Sequence, residues 1–109
     1  YTFILPATKE LPRRLMTKRK TIGIRVPDNA IALALLEALG EPILSCSLML
    51  PNTEVTESDP DEIRDYLEKR VELIIHGGYL GQQPTTVVDL TDETPVIIRE
   101  GAGDLTPFN

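Results

Sequence analysis

"TIGIRVPDNAIALALLEALGEP", residues 21–42, is the stretch whose reading decides the fold class. Its first six residues are rich in β-branched side chains and alternate about Gly23 and Arg25, the pattern of a strand. Pro27 brings no N–H to a ladder and so closes that strand. Asp28 or Asn29 then offers a side-chain oxygen to the unpaired amides of a helix start. Ile31, Leu35, Leu36 and Leu39 recur at helical spacing, so residues 28–39 read as a helix, which Gly40 and Pro42 stop. A strand feeding straight into a helix is one half of a βαβ unit, and the rest of the chain is read outward from it.

"ILSCSLML" (43–50) reads as the next strand, ending at Pro51 before a turn through Asn52 and Thr53. A second helix begins with Asp59 as cap, Pro60 at the first helical position and Glu62 three residues after the cap. Its apolar stripe is Ile63, Leu67 and Val71. On the N-terminal side, "TFIL" (2–5) reads as a strand, and "ATKELPRRLM" is interrupted by Pro12. "VELII" (71–75), "TTVVDL" (85–90) and "PVIIR" (95–99) supply three more strands. The order β–β–α–β–α–β–β–β predicts an α/β fold, a mixed β-sheet flanked by helices. The 109 residues suffice for one domain, without repeat, linker or low-complexity tract. The chain opens on Tyr1 and enters "TFIL" almost at once, which reads as a strand cut from a longer protein.

Composition narrows the class. The apolar fraction is 41% and the charged fraction 26%, ordinary for a globular protein. No apolar run approaches the ~20 residues of a membrane helix, so no membrane partner and a cytoplasmic location are expected. Cys46 is the lone cysteine, which excludes an internal disulfide, and its place among apolar residues predicts a buried, inert thiol. His76 is the lone histidine, so no histidine-rich metal site is expected.

The net charge of −6 conceals an asymmetry. Lys9, Arg13, Arg14, Lys18, Arg19, Lys20 and Arg25 are seven of the eleven basic residues, whereas Glu54, Glu57, Asp59, Asp61, Glu62, Asp65, Glu68 and Glu72 crowd a later stretch. Two readings follow: two solvated faces, or a surface that draws phosphates.

The remaining chemistry sits at strand ends. Arg25 closes one strand, Ser45 and Ser47 share a strand face, Thr85 and Thr86 follow Pro84, and Arg99 closes "VIIR". Arginine forks suit phosphate or carboxylate, and hydroxyls beside glycine amides suit an oxyanion. The connection "IIHGGYLGQQPTTVVDL" (74–90) is longer and more polar than a hairpin needs, as expected of a ligand-binding loop. Ligand binding and purely structural salt bridges and turn caps both account for these residues. "GGYLG" is neither a P-loop nor a dinucleotide turn.

Taken in order, "YTFIL", "TIGIRVPDNAIALALLEALGEPILS", "IIHGGYLGQQPTTVVDLT" and "PVIIREGAG" resemble the C-terminal part of a YrdC domain. "SLMLP" and "HGGYLGQQPTT" resemble the YciO subgroup of that family. The resemblance covers nearly all of the chain, so residues 1–109 are expected to be the C-terminal part of a YrdC-like domain, with a twisted mixed sheet.

The family includes threonylcarbamoyl-AMP synthases, which act in tRNA threonylcarbamoyladenosine formation. The resemblance therefore implies ATP with Mg²⁺, L-threonine or another small carboxylate, and bicarbonate as ligands, and nucleotidyltransferase chemistry. By position it implies substrate or nucleotide contacts for Arg25, Ser47, Thr85 and Arg99. It also implies an alternative function, a double-stranded RNA- or tRNA-binding or nucleotide-binding protein without synthase activity, and Arg13, Arg14, Lys18, Arg19 and Lys20 are the candidates for RNA contact. Two departures bear on the enzyme reading. Met49 stands where the family has an asparagine, and the lysine- and arginine-bearing N-terminal motif has no counterpart here.

Overall fold

The computed structural model describes residues 1–15, 18–49, 59–81 and 83–109, with Leu15 by its backbone alone. The chain divides into two compact units, Tyr1–Pro27 with Thr85–Asn109, and Asp28–Pro84.

The first unit is built on a four-stranded mixed sheet. Its strands are β1 (Thr2–Pro6), β2 (Thr21–Ile24), β3 (Val87–Asp89) and β4 (Val96–Arg99), in the order β2-β1-β3-β4. β1 runs antiparallel to β2 and parallel to β3, and β3 runs antiparallel to β4. Pro12 is followed by a single 3₁₀ turn, Arg13–Leu15, between β1 and β2.

Register explains the core. Ile24, Phe3, Val88 and Ile97 lie level across the four strands and so share one face. Val88, central in this row, is fully buried. Tyr1 stacks on Phe3 with ring centres 5.4 Å apart, and Phe108, from a 3₁₀ turn Thr106–Phe108, meets Tyr1 edge-on at 5.6 Å. Gly103 belongs to this cluster, because a Cβ there would stand 2.4 Å from Tyr1 Cε1.

Among the described residues the second unit holds two α-helices. In α1 (Ala30–Leu39), Asn29 is the cap, and its Oδ1 accepts from Ala32 N at 3.0 Å. Gly40 ends it in the left-handed region, φ 72°, while its N–H reaches Leu36 O at 2.9 Å. In α2 (Pro60–Leu67), the Asp59 carboxylate accepts from Asp61 N at 2.9 Å, and Pro60 opens the helix. Ile63 and Leu67 are half-buried, whereas Val71 falls beyond the helix end and is exposed.

The α/β class and the mixed sheet are as expected, but two strands are not formed. Residues 43–49 and 71–75 have no regular secondary structure. A strand exists only with a ladder to satisfy its amides and carbonyls, and apolar propensity cannot supply the partner. Leu44 and Leu73 accordingly stay 83% and 76% exposed. Cys46, expected to be buried in the first of these strands, is exposed for the same reason. Residues 50–53, the strand end and turn, lie outside the described residues. Among the described residues no helix is long and apolar enough to cross a membrane.

Candidate functional site

Register sets the candidate site on the sheet. Thr2, Val87 and Arg99 are level on β1, β3 and β4. Carrying the antiparallel β1–β2 register one residue past Ile24 sets Arg25 level with Thr2. The two arginines therefore occupy one end of the sheet at its opposite edges. Three strand steps of about 4.8 Å separate their backbones by about 14 Å.

Arg99 is held by Thr85. Its Nε and Nη2 donate to the Thr85 carbonyl at 3.0 and 2.7 Å, and Nη2 also donates to Thr85 Oγ1 at 3.2 Å. Among the described residues its Nη1 makes no hydrogen bond, so the exposed guanidinium offers that end to an anion. Thr85 Oγ1 lies 2.7 Å from Thr2 Oγ1, a contact in which either hydroxyl can donate.

Thr86 faces the other way and is fully buried. Its hydroxyl donates to Gly103 O at 2.7 Å and accepts from Gly101 N at 2.9 Å. Consecutive threonines thus divide the work: Thr85 orients Arg99, and Thr86 ties down the loop that follows Arg99. In the same loop the Asp104 carboxyl is held below its usual range, first by the Thr106 backbone amide and then by the Thr106 hydroxyl.

Asp89 is 7% exposed at the end of β3. Its Oδ1 accepts from Thr91 Oγ1 at 2.6 Å and from Thr91 N at 2.9 Å. Those bonds, more than the nearby Arg19 charge, hold its carboxyl below the usual range. Arg19 reaches Asp89 Oδ2 at 3.4 Å, a long contact from a guanidinium that is 65% exposed. Arg19 is therefore shared with a carboxylate, while Arg13, Arg14, Lys18 and Lys20 are exposed along the same stretch.

Of the residues singled out in the sequence, the structure joins Thr85 and Arg99 by hydrogen bonds and leaves Arg25 at the end of the far strand; the Thr2 contact and the Arg19–Asp89 pair had no sequence signal. The missed contacts join residues 83 and 70 positions apart, and no local pattern signals them. Ser47 belongs to the other unit, exposed in the irregular stretch 43–49.

That unit has a groove of about 410 Å³, lined in part by Pro60, Arg64, Glu68, Glu72 and His76. Arg64 Nε pairs with Glu68 at 3.3 Å, and His76 Nδ1 accepts from Gly78 N at 3.3 Å. Gly78 has φ 76°, the left-handed conformation that the paired glycines of this connection permit. The Tyr79 phenol is pushed up, chiefly by the negative charge of Asp59. Among the described residues no three His, Cys, Asp or Glu side chains are grouped to hold a metal ion.

The Sua5–YciO–YrdC family model, described as telomere recombination, matches residues 1–101. The chain is 79% identical over 110 residues to an uncharacterized protein of Haemophilus influenzae, covering 99% of this chain and 53% of that protein. It is 74% identical over 109 residues to the uncharacterized protein YciO of Escherichia coli, with the same coverage of 99% and 53%. A threonylcarbamoyl-AMP synthase of Pyrococcus abyssi is 33% identical over 102 residues, covering 92% of this chain and 29% of that enzyme. Among solved structures, the crystal structure of E. coli YciO matches with a TM-score of 0.93 at 74% identity, covering 100% of this chain and 53% of that one. The chain thus spans about half the length of these two bacterial relatives.

Proposed function

The chain belongs to the Sua5–YciO–YrdC family, and from that membership we propose that the protein binds ATP and a small carboxylate and carries out adenylation of the threonylcarbamoyl-AMP type. In such a reaction the amine of L-threonine forms a C–N bond to the bicarbonate carbon, a C–O bond breaks, and water leaves to give a carbamate. A carbamate oxygen then attacks the α-phosphorus of ATP, and the bond to pyrophosphate breaks. The site's task is to position and neutralise. The observation that carries the reading is the 33% identity to a threonylcarbamoyl-AMP synthase over 92% of the chain.

The site geometry supports it. Arg25 and Arg99 lie at one end of the sheet, and Thr85 adds a hydroxyl beside Arg99. Ser47 lies in the other unit, and its assignment to a ligand rests on resemblance to the family alone. Mg²⁺ would enter with ATP, held mainly by the phosphates, as is usual for that ion. A cytoplasmic location accompanies this reading.

The test is pyrophosphate release by the full-length protein given ATP, L-threonine and bicarbonate. Release that requires all three supports the proposal, and a rate equal to the no-threonine control refutes it.

A second reading, binding of double-stranded RNA or tRNA, rests on the exposure of Arg13, Arg14, Lys18 and Lys20 in one short stretch. It expects duplex affinity that falls steeply with salt, and a slope that shrinks by about 1 for each phosphate contact removed in Arg13→Ala or Arg14→Ala. A salt-independent signal would remove it.

A further inference from the structure

We infer that Thr2 is a positioning residue for the Thr85–Arg99 anion site and sets the direction in which the Thr85 hydroxyl points its proton. The inference rests on the functional reading above in one respect, that the ligand is an anion.

The argument is one of donors and acceptors. Arginine has no acceptor, so the 3.2 Å contact from Arg99 Nη2 makes Thr85 Oγ1 an acceptor. A hydroxyl has one proton and two acceptor positions, so one of each remains on Thr85. The Thr2 hydroxyl stands 2.7 Å away, the usual length of an O–H···O bond.

Two arrangements satisfy this pair. In one, Thr85 donates to Thr2 and its proton faces inward. In the other, Thr2 donates to Thr85, both acceptor positions of Thr85 are filled, and its proton must point outward.

A phosphate or carboxylate oxygen only accepts, so its arrival selects the outward arrangement. The anion then takes hydrogen bonds from Thr85 Oγ1 and from Arg99 Nη1. The series Thr2 to Thr85 to anion is cooperative, each bond polarising the next.

The support beneath this relay is rigid. Thr2 N donates to Thr86 O at 2.8 Å, and Thr2 sits in the β1–β3 ladder opposite Val87. Its hydroxyl is therefore placed by sheet register rather than by a loop.

The test compares the full-length wild type with Thr2→Val, which keeps the shape, and Thr2→Ser, which keeps the hydroxyl. Isothermal titration with inorganic pyrophosphate and with Mg-ATP gives affinities. Thr2→Val should weaken both by about 2- to 10-fold, the value of one hydrogen bond, while Thr2→Ser stays within about 2-fold of wild type. Equal affinities for wild type and Thr2→Val would overturn the inference, as would a failure of serine to rescue.

Binding of neither probe by the wild type would refute the functional reading instead. The relay is then judged by the Arg99 Nε–H resonance in ¹H–¹⁵N spectra. A resonance displaced by valine and restored by serine supports it, and one unmoved by valine overturns it.

Discussion

Gly103→Ala tests the packing under the candidate site. An added Cβ would stand 2.4 Å from Cε1, 2.5 Å from Cδ1 and 2.9 Å from Cζ of Tyr1. Ordinary carbon contacts lie near 3.5–4.0 Å, so the ring or the loop must retreat by about 1 Å. The ring is not free to do so. It stacks on Phe3 at 5.4 Å, meets Phe108 edge-on at 5.6 Å, and donates its hydroxyl proton to Asp104 O at 2.8 Å. The loop is held as well, by Thr86 Oγ1 on Gly103 O at 2.7 Å.

Two aromatic pairs of about 0.5–1.5 kcal/mol each and one hydrogen bond of similar size are at risk. Partial loss of these predicts a destabilisation of about 1–3 kcal/mol, the range typical of overpacking. Equilibrium urea unfolding of the full-length protein measures it, with Tyr1→Ala and the double variant completing a cycle. In the Tyr1→Ala background the same glycine substitution should lose less than about 0.5 kcal/mol, because the obstacle is gone. An unchanged midpoint for Gly103→Ala, or an equal loss in both backgrounds, would refute the argument.

Thr86→Val keeps the shape but leaves Gly103 O and Gly101 N–H without their hydroxyl partner, so a loss of about 1–3 kcal/mol in urea unfolding is expected; a neutral variant would mean that water replaces the hydroxyl. The lowered Asp89 carboxyl links stability to pH. Its contribution is fully present above the unfolded value of about 3.9 and is lost as pH falls through the lower folded value. Asp89→Asn should therefore flatten acid unfolding in that window, and superimposable acid curves for the two proteins would contradict this. Met49→Asn brings a donor and an acceptor that a thioether lacks. One added hydrogen bond to a charged ligand should raise threonine-dependent pyrophosphate release by about 10-fold in the full-length protein. An unchanged rate would mean that the pocket serves other chemistry.

What was legible in the sequence is what neighbouring residues decide among themselves. Asn29 and Asp59 cap helices because a short side-chain oxygen reaches an amide two or three residues ahead. Gly40 stops α1 because only a residue tolerant of φ 72° continues the chain there. β1, β2, β3 and β4 fall within or at the edges of the apolar β-branched stretches that announce them. Arg25, Thr85 and Arg99 stood out as polar groups at the ends of apolar segments, and Thr85 and Arg99 meet in a hydrogen-bonded cluster.

Partnership over distance was decided by tertiary structure alone. "ILSCSLML" and "VELII" carry strand-like composition, yet residues 43–49 and 71–75 form no strand, because a ladder needs a second strand that composition cannot specify. Thr2 joins Thr85, and Arg19 joins Asp89, only because β1 pairs in parallel with β3 and antiparallel with β2. Local rules act through a few bonds along the chain and can be read from residue order. The candidate site depends on register between strands brought together from the two ends of the sequence, and that register follows from burying Val88 beside the half-buried Phe3 on one face.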